Sequence, residues 1–266
     1  MDSRLEAFKS PDFFRVFGAV ASLSGAAEEE LLDVSDIGPT ADEGIASVVH
    51  HARGKNPDPA SRLLLIKGQT GTGKTHTLLT AVRALHRQGD VFAVVLPMVE
   101  FVSEQQFDAW LTRSFVTRLS EPYLVPEGAP VPLVALGLTL LELAPGPLSD
   151  RLKKAVIEGD VSVSEVEFKG LVNTIRSRLA KATRIPPAGE ATIAAILGVL
   201  FGEDEAFDFL RGLKVDTRLA GIRIHNQDSE QCARLRLEEI VKIIGALGGS
   251  VFIAFDQLEQ SKLEGW

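Results

Sequence analysis

Eight consecutive residues carry the clearest chemistry in this chain. Gly68, Gln69, Thr70, Gly71, Thr72, Gly73, Lys74 and Thr75 stand in succession in the pattern G-x-x-x-x-G-K-T. Gly68, Gly71 and Gly73 let the backbone close into a tight ring with successive N–H groups pointing inward, a concavity suited to phosphate oxygens. Lys74 adds a point charge that reaches the β- and γ-phosphates, and the Thr75 hydroxyl is a ligand for Mg²⁺. A helix starting here adds the positive end of its dipole, and His76 in its first turn is a candidate to touch the same ligand, with an ordinary first-turn helix residue as the competing reading. The octet predicts a nucleoside-triphosphate site.

A second stretch completes the metal side of that chemistry. Residues 250–255, S-V-F-I-A-F, form an apolar run that leads directly into Asp256, Gln257, Leu258 and Glu259. An aspartate at the end of a buried strand is the Walker B pattern. Mg²⁺ demands hard oxygen ligands and keeps several waters, so Asp256 is expected to hold it beside Thr75.

Both motifs need elements to position them. Residues 62–67, R-L-L-L-I-K, read as a short buried strand entering the glycine loop. After the loop, Leu78, Leu79, Val82, Leu85 and His86 recur at helical spacing as far as Gly89. Residues 91–96, V-F-A-V-V-L, are a second buried strand ending at Pro97. Upstream, Ser10-Pro11 predicts a helix start, residues 28–32 a short helix and residues 31–38 an extended linker. Thr40 with Glu43 forms a capping box for a helix to about Arg53.

Downstream, Ser103 with Gln106 is expected to cap a helix presenting Phe107, Trp110, Leu111 and Phe115 on one face. From Leu133 to Gly221 the periodicity is mostly helical. Asp228 with Gln231 then starts a helix over residues 232–247. The expected organisation is N-terminal helices and linker over 1–60, a nucleotide-binding core over 61–101 and 248–266, and a mainly helical insertion over 102–247.

Composition narrows the class. The 266 residues are 45% hydrophobic and 24% charged, ordinary for a globular chain. The net charge of −8 argues against an autonomous nonspecific nucleic-acid binder, although a local basic face is permitted. Such a face is offered by Arg176, Arg178, Lys181 and Arg184, for which a solvated helix surface is the competing reading. Arg211, beside Gly212, is a lone candidate for reaching a phosphate in a neighbouring subunit. The single cysteine, Cys232, excludes an intramolecular disulfide and fits a reducing compartment. The apolar stretches 131–144 and 194–201 fall short of a bilayer span, so the expected setting is cytoplasmic. His50-His51 has no companions at ligand spacing.

With these motifs in place, the chain resembles the additional-strand P-loop ATPases, namely the AAA+ proteins and their signalling relatives, the STAND ATPases. Asp256-Gln257-Leu258-Glu259 is similar to the D-Q-[FL]-E variant of bacterial STAND-type and phage-defence ATP-binding proteins. The 33–38 linker before a capped helix is similar to the AAA+ segment that lies across adenine, and Leu210-Arg211-Gly212 before a long helix resembles origin-recognition-like ATPases. The resemblance covers residues 31–97 and 209–260. It implies an α/β fold, a P-loop NTPase parallel sheet with a large α-helical insertion between the second strand and the Walker B strand. It also implies ATP as ligand, Mg²⁺ as cofactor, and hydrolysis driving a conformational switch, with phage defence or DNA transactions as settings.

Two departures from the family pattern bear on this. A glutamate stands directly after the Walker B aspartate in most AAA+ proteins, and Gln257 stands there in this chain. Gln257 can orient a water but cannot take its proton, so Glu259 is the candidate carboxylate, with a solvated acid at a helix start as the competing reading. An ATP-binding module with little or no hydrolysis, acting as a nucleotide-dependent scaffold, is the alternative. The family's sensor strand, fifth strand and helical lid also have no counterpart before Trp266. The resemblance therefore implies an N-terminal fragment of a longer ATPase, whose C-terminal part would serve a protein partner or self-association.

Overall fold

The computed structural model describes residues 33–34, 39–52, 65–66, 74–98, 101, 106–122, 125, 127–158, 163–182 and 189–256. The chain is mixed α/β. The expected helices near residues 10 and 28 lie outside the described residues, as does Ser103. By its internal packing the chain separates into two compact units, one built from residues 1–105, 124–126 and 249–266 and the other from 106–123 and 127–248.

In the first unit, β1 (Asp33–Val34) pairs in parallel with β2 (Leu65–Ile66), so part of the expected linker is a strand beside the one entering the loop. The helix α1 (Pro39–Ala52) lies between them in sequence. The helix α2 (Lys74–His86) leads to β3 (Val91–Pro97), which pairs in parallel with β6 (Ser250–Asp256) over seven positions from Val91↔Ser250 to Pro97↔Asp256. Residues 91–96 are buried on both faces, which is why they read as one continuous apolar run. On one face Val91, Ala93, Val95 and Ala254 pack with Ile45 and Val49 of α1 and Leu78, Ala81, Val82 and Leu85 of α2. Two contacts fix the ends of this layer. The Ser250 N–H donates to the Asp90 carbonyl at 2.9 Å, and His86 Nε2 donates to the Ala93 carbonyl at 2.8 Å, tying α2 to β3.

The second unit holds α3 (Phe107–Leu119), α4 (Pro132–Glu142), α5 (Pro147–Glu158), α6 (Glu165–Ala182), α7 (Glu190–Val199) and α8 (Asp204–Leu210). After these come a hairpin, β4 (Val215–Leu219) and β5 (Ile222–Asn226), and the helix α9 (Glu230–Ala246). Seven successive residues of α7, Thr192 to Gly198, are buried, as its apolar circumference requires. Around it pack α4, α6, α8 and β5. The stretch 131–144 becomes α4, entered through Pro132 at its first turn, with Leu133, Leu136, Leu140 and Leu141 buried.

Some polar groups inside this unit are paired by distant residues. No side chain caps the start of α7; the Glu239 carboxylate accepts from the Gly189 N–H at 2.9 Å and from the Thr192 hydroxyl. Arg236 Nη1 donates to Glu239 at 2.7 Å and its guanidinium lies 4.5 Å from the Phe209 ring centroid. A carboxylate at a helix start also meets the positive end of the dipole. Thr112, fully buried, donates to the Ala233 carbonyl at 2.9 Å, joining α3 to α9.

Three expectations need correction. The hairpin interrupts the stretch expected to be helical to Gly221: V-D-T-R-L and I-R-I-H-N alternate with period two, with Val215, Leu219, Ile222 and Ile224 buried. Ala220 and Gly221, at φ 40° and φ 82°, make the two-residue turn between them. The last long helix starts at Glu230 rather than 232, because Ser229 is its cap and accepts from the Cys232 N–H at 3.2 Å, in place of Asp228. The helix α3 starts at Phe107 after Gln106, with no side-chain cap bond.

Candidate functional site

The end of β6 and the start of α2 are joined by a hydrogen bond. Thr75 Oγ1 donates to Asp256 Oδ2 at 2.6 Å, joining residues 181 positions apart in sequence. The geometry follows from the layer beneath. The helix α2 packs on β3, β3 holds β6 in parallel register, and the last pair of that register is Pro97↔Asp256. The carboxylate of Asp256 is thereby delivered to the first turn of the helix that starts at Lys74.

Asp256 is only 6% exposed. An ionised carboxylate so withdrawn from water is costly unless donors or a cation compensate it, and Thr75 supplies one donor. Thr75 and His76 are themselves exposed at the start of α2. The first turn of α2 contains no acidic residue, so nothing of its own neutralises the positive end of this 13-residue helix. A hydroxyl oxygen and a carboxylate side by side are hard donors, and the pair suits Mg²⁺ in its chemistry. Two protein ligands with remaining positions left to water and phosphate is the usual manner of that ion.

Of the predicted site residues, the structure brings together Thr75 and Asp256 and places His76 one residue beyond. Lys74 is the first residue of α2, with its side chain outside the described residues. Gly68, Gln69, Thr70, Gly71, Thr72 and Gly73 lie outside the described residues, as do Gln257 and Glu259. His86, in sequence only a member of the helical face, is the tether of α2 to β3. Its histidine identity is the available signal, since a ring N–H can reach a strand carbonyl where an aliphatic side chain cannot.

Elsewhere, Arg211 pairs with Asp208 and lies 4.7 Å from the Phe207 ring centroid, which holds it to its own helix. Arg176, Arg178 and Lys181 are exposed on α6, and Arg184 lies outside the described residues. Among the described residues no group of three or more His, Cys, Asp and Glu is placed to hold a metal. No described helix is long and apolar enough to cross a membrane.

Comparison with known proteins finds no matching family model, no matching curated protein and no matching solved structure.

Proposed function

We infer that the chain is a cytoplasmic, Mg²⁺-dependent ATP-binding protein of AAA+/STAND type that hydrolyses ATP to drive a conformational switch. The observation that carries this reading is the 2.6 Å contact between Thr75 and Asp256, two residues marked independently by motif and 181 positions apart. In this reading Gly68 to Gly73 cradle the triphosphate with backbone N–H groups and Lys74 pairs its β- and γ-oxygens. Thr75 and Asp256 hold Mg²⁺, whose charge neutralises that developing on the phosphates. Glu259, or a water oriented by Gln257, directs attack on the γ-phosphate. Catalysis is then positioning and electrostatics, since phosphoryl transfer asks little covalent chemistry of the protein.

The test is equilibrium binding of a fluorescent ATP analogue with and without Mg²⁺. Lys74→Ala is expected to weaken binding at least about tenfold, as loss of a charged hydrogen-bond donor does. Asp256→Asn is expected to remove the Mg²⁺-dependent part of the affinity and leave the rest. Unchanged affinity in Lys74→Ala would sink the site assignment. A second reading, ATP held as a ligand with little turnover, is favoured by Gln257 in the place of a glutamate. Comparing single- with multiple-turnover hydrolysis in the wild type and in Glu259→Gln separates the two. Multiple turnover that slows in the variant supports the ATPase, and its absence in both supports the scaffold.

A further inference from the structure

We propose that the exposed face of α6 is a docking surface for duplex DNA, with the helix lying in the major groove. The proposal is independent of the ATP reading. From Lys169 to Ala182 the sequence carries four basic residues and no acidic one, inside a chain of 28 basic and 36 acidic residues. Four basic residues in these 14 positions compare with 24 in the other 252, so positive charge is denser here than in the rest of the chain. Phe168, Leu171, Val172, Ile175 and Leu179 are buried and fix which side of α6 faces inward.

On the outward side from Lys169 onward, helical spacing sorts the exposed residues into three stripes; the exposed first turn ahead of them carries Glu165, Val166 and Glu167. Gly170, Asn173 and Ser177 form the outermost ridge. Lys169 and Arg176, seven positions apart, lie on one flank, and Arg178 and Lys181 lie on the other. None of the four cations has an ion-pair or hydrogen-bond partner among the described residues. Thr174, between the ridge and the second flank, turns its hydroxyl back to the Gly170 carbonyl at 2.8 Å, which keeps the ridge low.

This arrangement selects among polyanions. A helix with its side chains is about 10–12 Å across, and the B-DNA major groove is about 12 Å wide, so cations on both flanks meet phosphates of both strands. A ridge of small residues lets the helix sit deep, and Asn173 is a side chain able to pair bidentately with an adenine edge. The outward stripes carry no aromatic ring for single-stranded bases to stack on. They carry no apolar stripe to bury in a membrane interface either. Double-stranded RNA is disfavoured because its major groove is too narrow to admit side chains.

The experiment is fluorescence anisotropy of a labelled duplex of about 20 base pairs with the full chain, across a salt series. Four phosphate contacts predict a slope of log K against log[salt] near −3.6, or about a 150-fold loss of affinity between 50 and 200 mM salt. The variant with Arg176→Ala and Arg178→Ala together is expected to bind more weakly at low salt, with its slope halved to about −1.8. Both positions are exposed, and an unchanged circular-dichroism spectrum and unfolding midpoint confirm that the fold is intact. No binding at about 50 mM salt overturns the proposal. So does an identical slope in the variant, or single-stranded DNA or phosphatidylserine vesicles binding as well as the duplex.

Discussion

Asp256 is buried and Asp108 half-buried, and the two carboxyl groups meet different neighbours. Asp256 receives the Thr75 hydroxyl. Replacing Thr75 with Val deletes one hydrogen bond to a buried carboxylate, which costs about 1–2 kcal/mol. Urea unfolding is expected to show that loss, and Thr75→Ser to recover most of it; a Val variant as stable as wild type would mean that the contact contributes nothing to the resting fold. Asp108, in the first turn of α3, has its carboxyl pushed above the usual range by burial. Arg234 offsets part of the rise, and Glu230 and Glu238 add to it. A raised folded-state value means that the protonated form is the one folding favours. That stability is fully present below about pH 3.8 and is lost as pH rises through the raised value. Asp108→Asn should therefore be more stable than wild type at pH 7, by well under about 1 kcal/mol because solvent screens a half-exposed site. The gain should vanish in acid, and a gain independent of pH would assign it to packing instead. Motif spacing alone marks Thr75 and Asp256 in the sequence, because metal and phosphate chemistry restricts which residue types serve. Asp108 carries no such sign: its environment comes from α9, more than a hundred positions away.

The elements legible in the sequence are those whose burial is uniform along their length. The strands β3 and β6 are each legible to within a residue, because an apolar run bounded by turns has few other meanings. The hairpin is not, although its alternation is present, because a stretch of helices on either side invites one period for the whole. Its turn lacks the usual Asn-Gly signal, with Ala220 and Gly221 in its place. The start of α6 is a capping box buried in the same helical stretch. Ser164 and Glu167 satisfy each other's backbone groups, with Glu167 accepting from the Ser164 N–H at 3.1 Å and Ser164 Oγ accepting from the Glu167 N–H at 3.3 Å. One loop residue between elements is more constrained than any of these. Gly212 lies at φ 73°, and a Cβ there would stand 2.7 Å from Ala233 Cα on α9. A side chain meets both an unfavourable backbone conformation and a neighbouring backbone that cannot yield. Gly212→Ala is expected to destabilise by about 2–4 kcal/mol, summing the two effects. Chemical denaturation measures this directly, and a loss under about 0.5 kcal/mol would mean that the α8–β4 connection moves freely away from α9.

At the scale of the molecule, the sequence between β3 and β6 behaves as a body with its own interior. Its buried residues run from Leu111, Phe115 and Leu119 through Leu136, Leu140 and Ile175 to Phe209, Leu237 and Ile240. Several of its buried polar groups are matched within the same unit: Thr112 to Ala233, Asn226 Nδ2 to the Phe209 carbonyl, and Glu239 to Gly189, Thr192 and Arg236, whereas Asn226 Oδ1 and the Nε atoms of Arg113, Arg211 and Arg236 find no hydrogen-bond partner among the described residues. A chain segment that closes its apolar core internally draws that stabilisation from its own residues. Its size is also that of a typical single domain. Residues 106–248, expressed alone, are expected to give a helix-rich far-ultraviolet spectrum and one cooperative urea transition. The same segment carries α6, so it should also retain the salt-dependent duplex binding of the full chain while lacking nucleotide affinity, since Lys74, Thr75 and Asp256 lie outside it. A broad transition without fixed near-ultraviolet signal would show that the interior depends on the rest of the chain. Cooperative folding with both behaviours separated would mean that residues 106–248 are an independently stable body, so that in the proposed reading a nucleotide would control its motion rather than its folding.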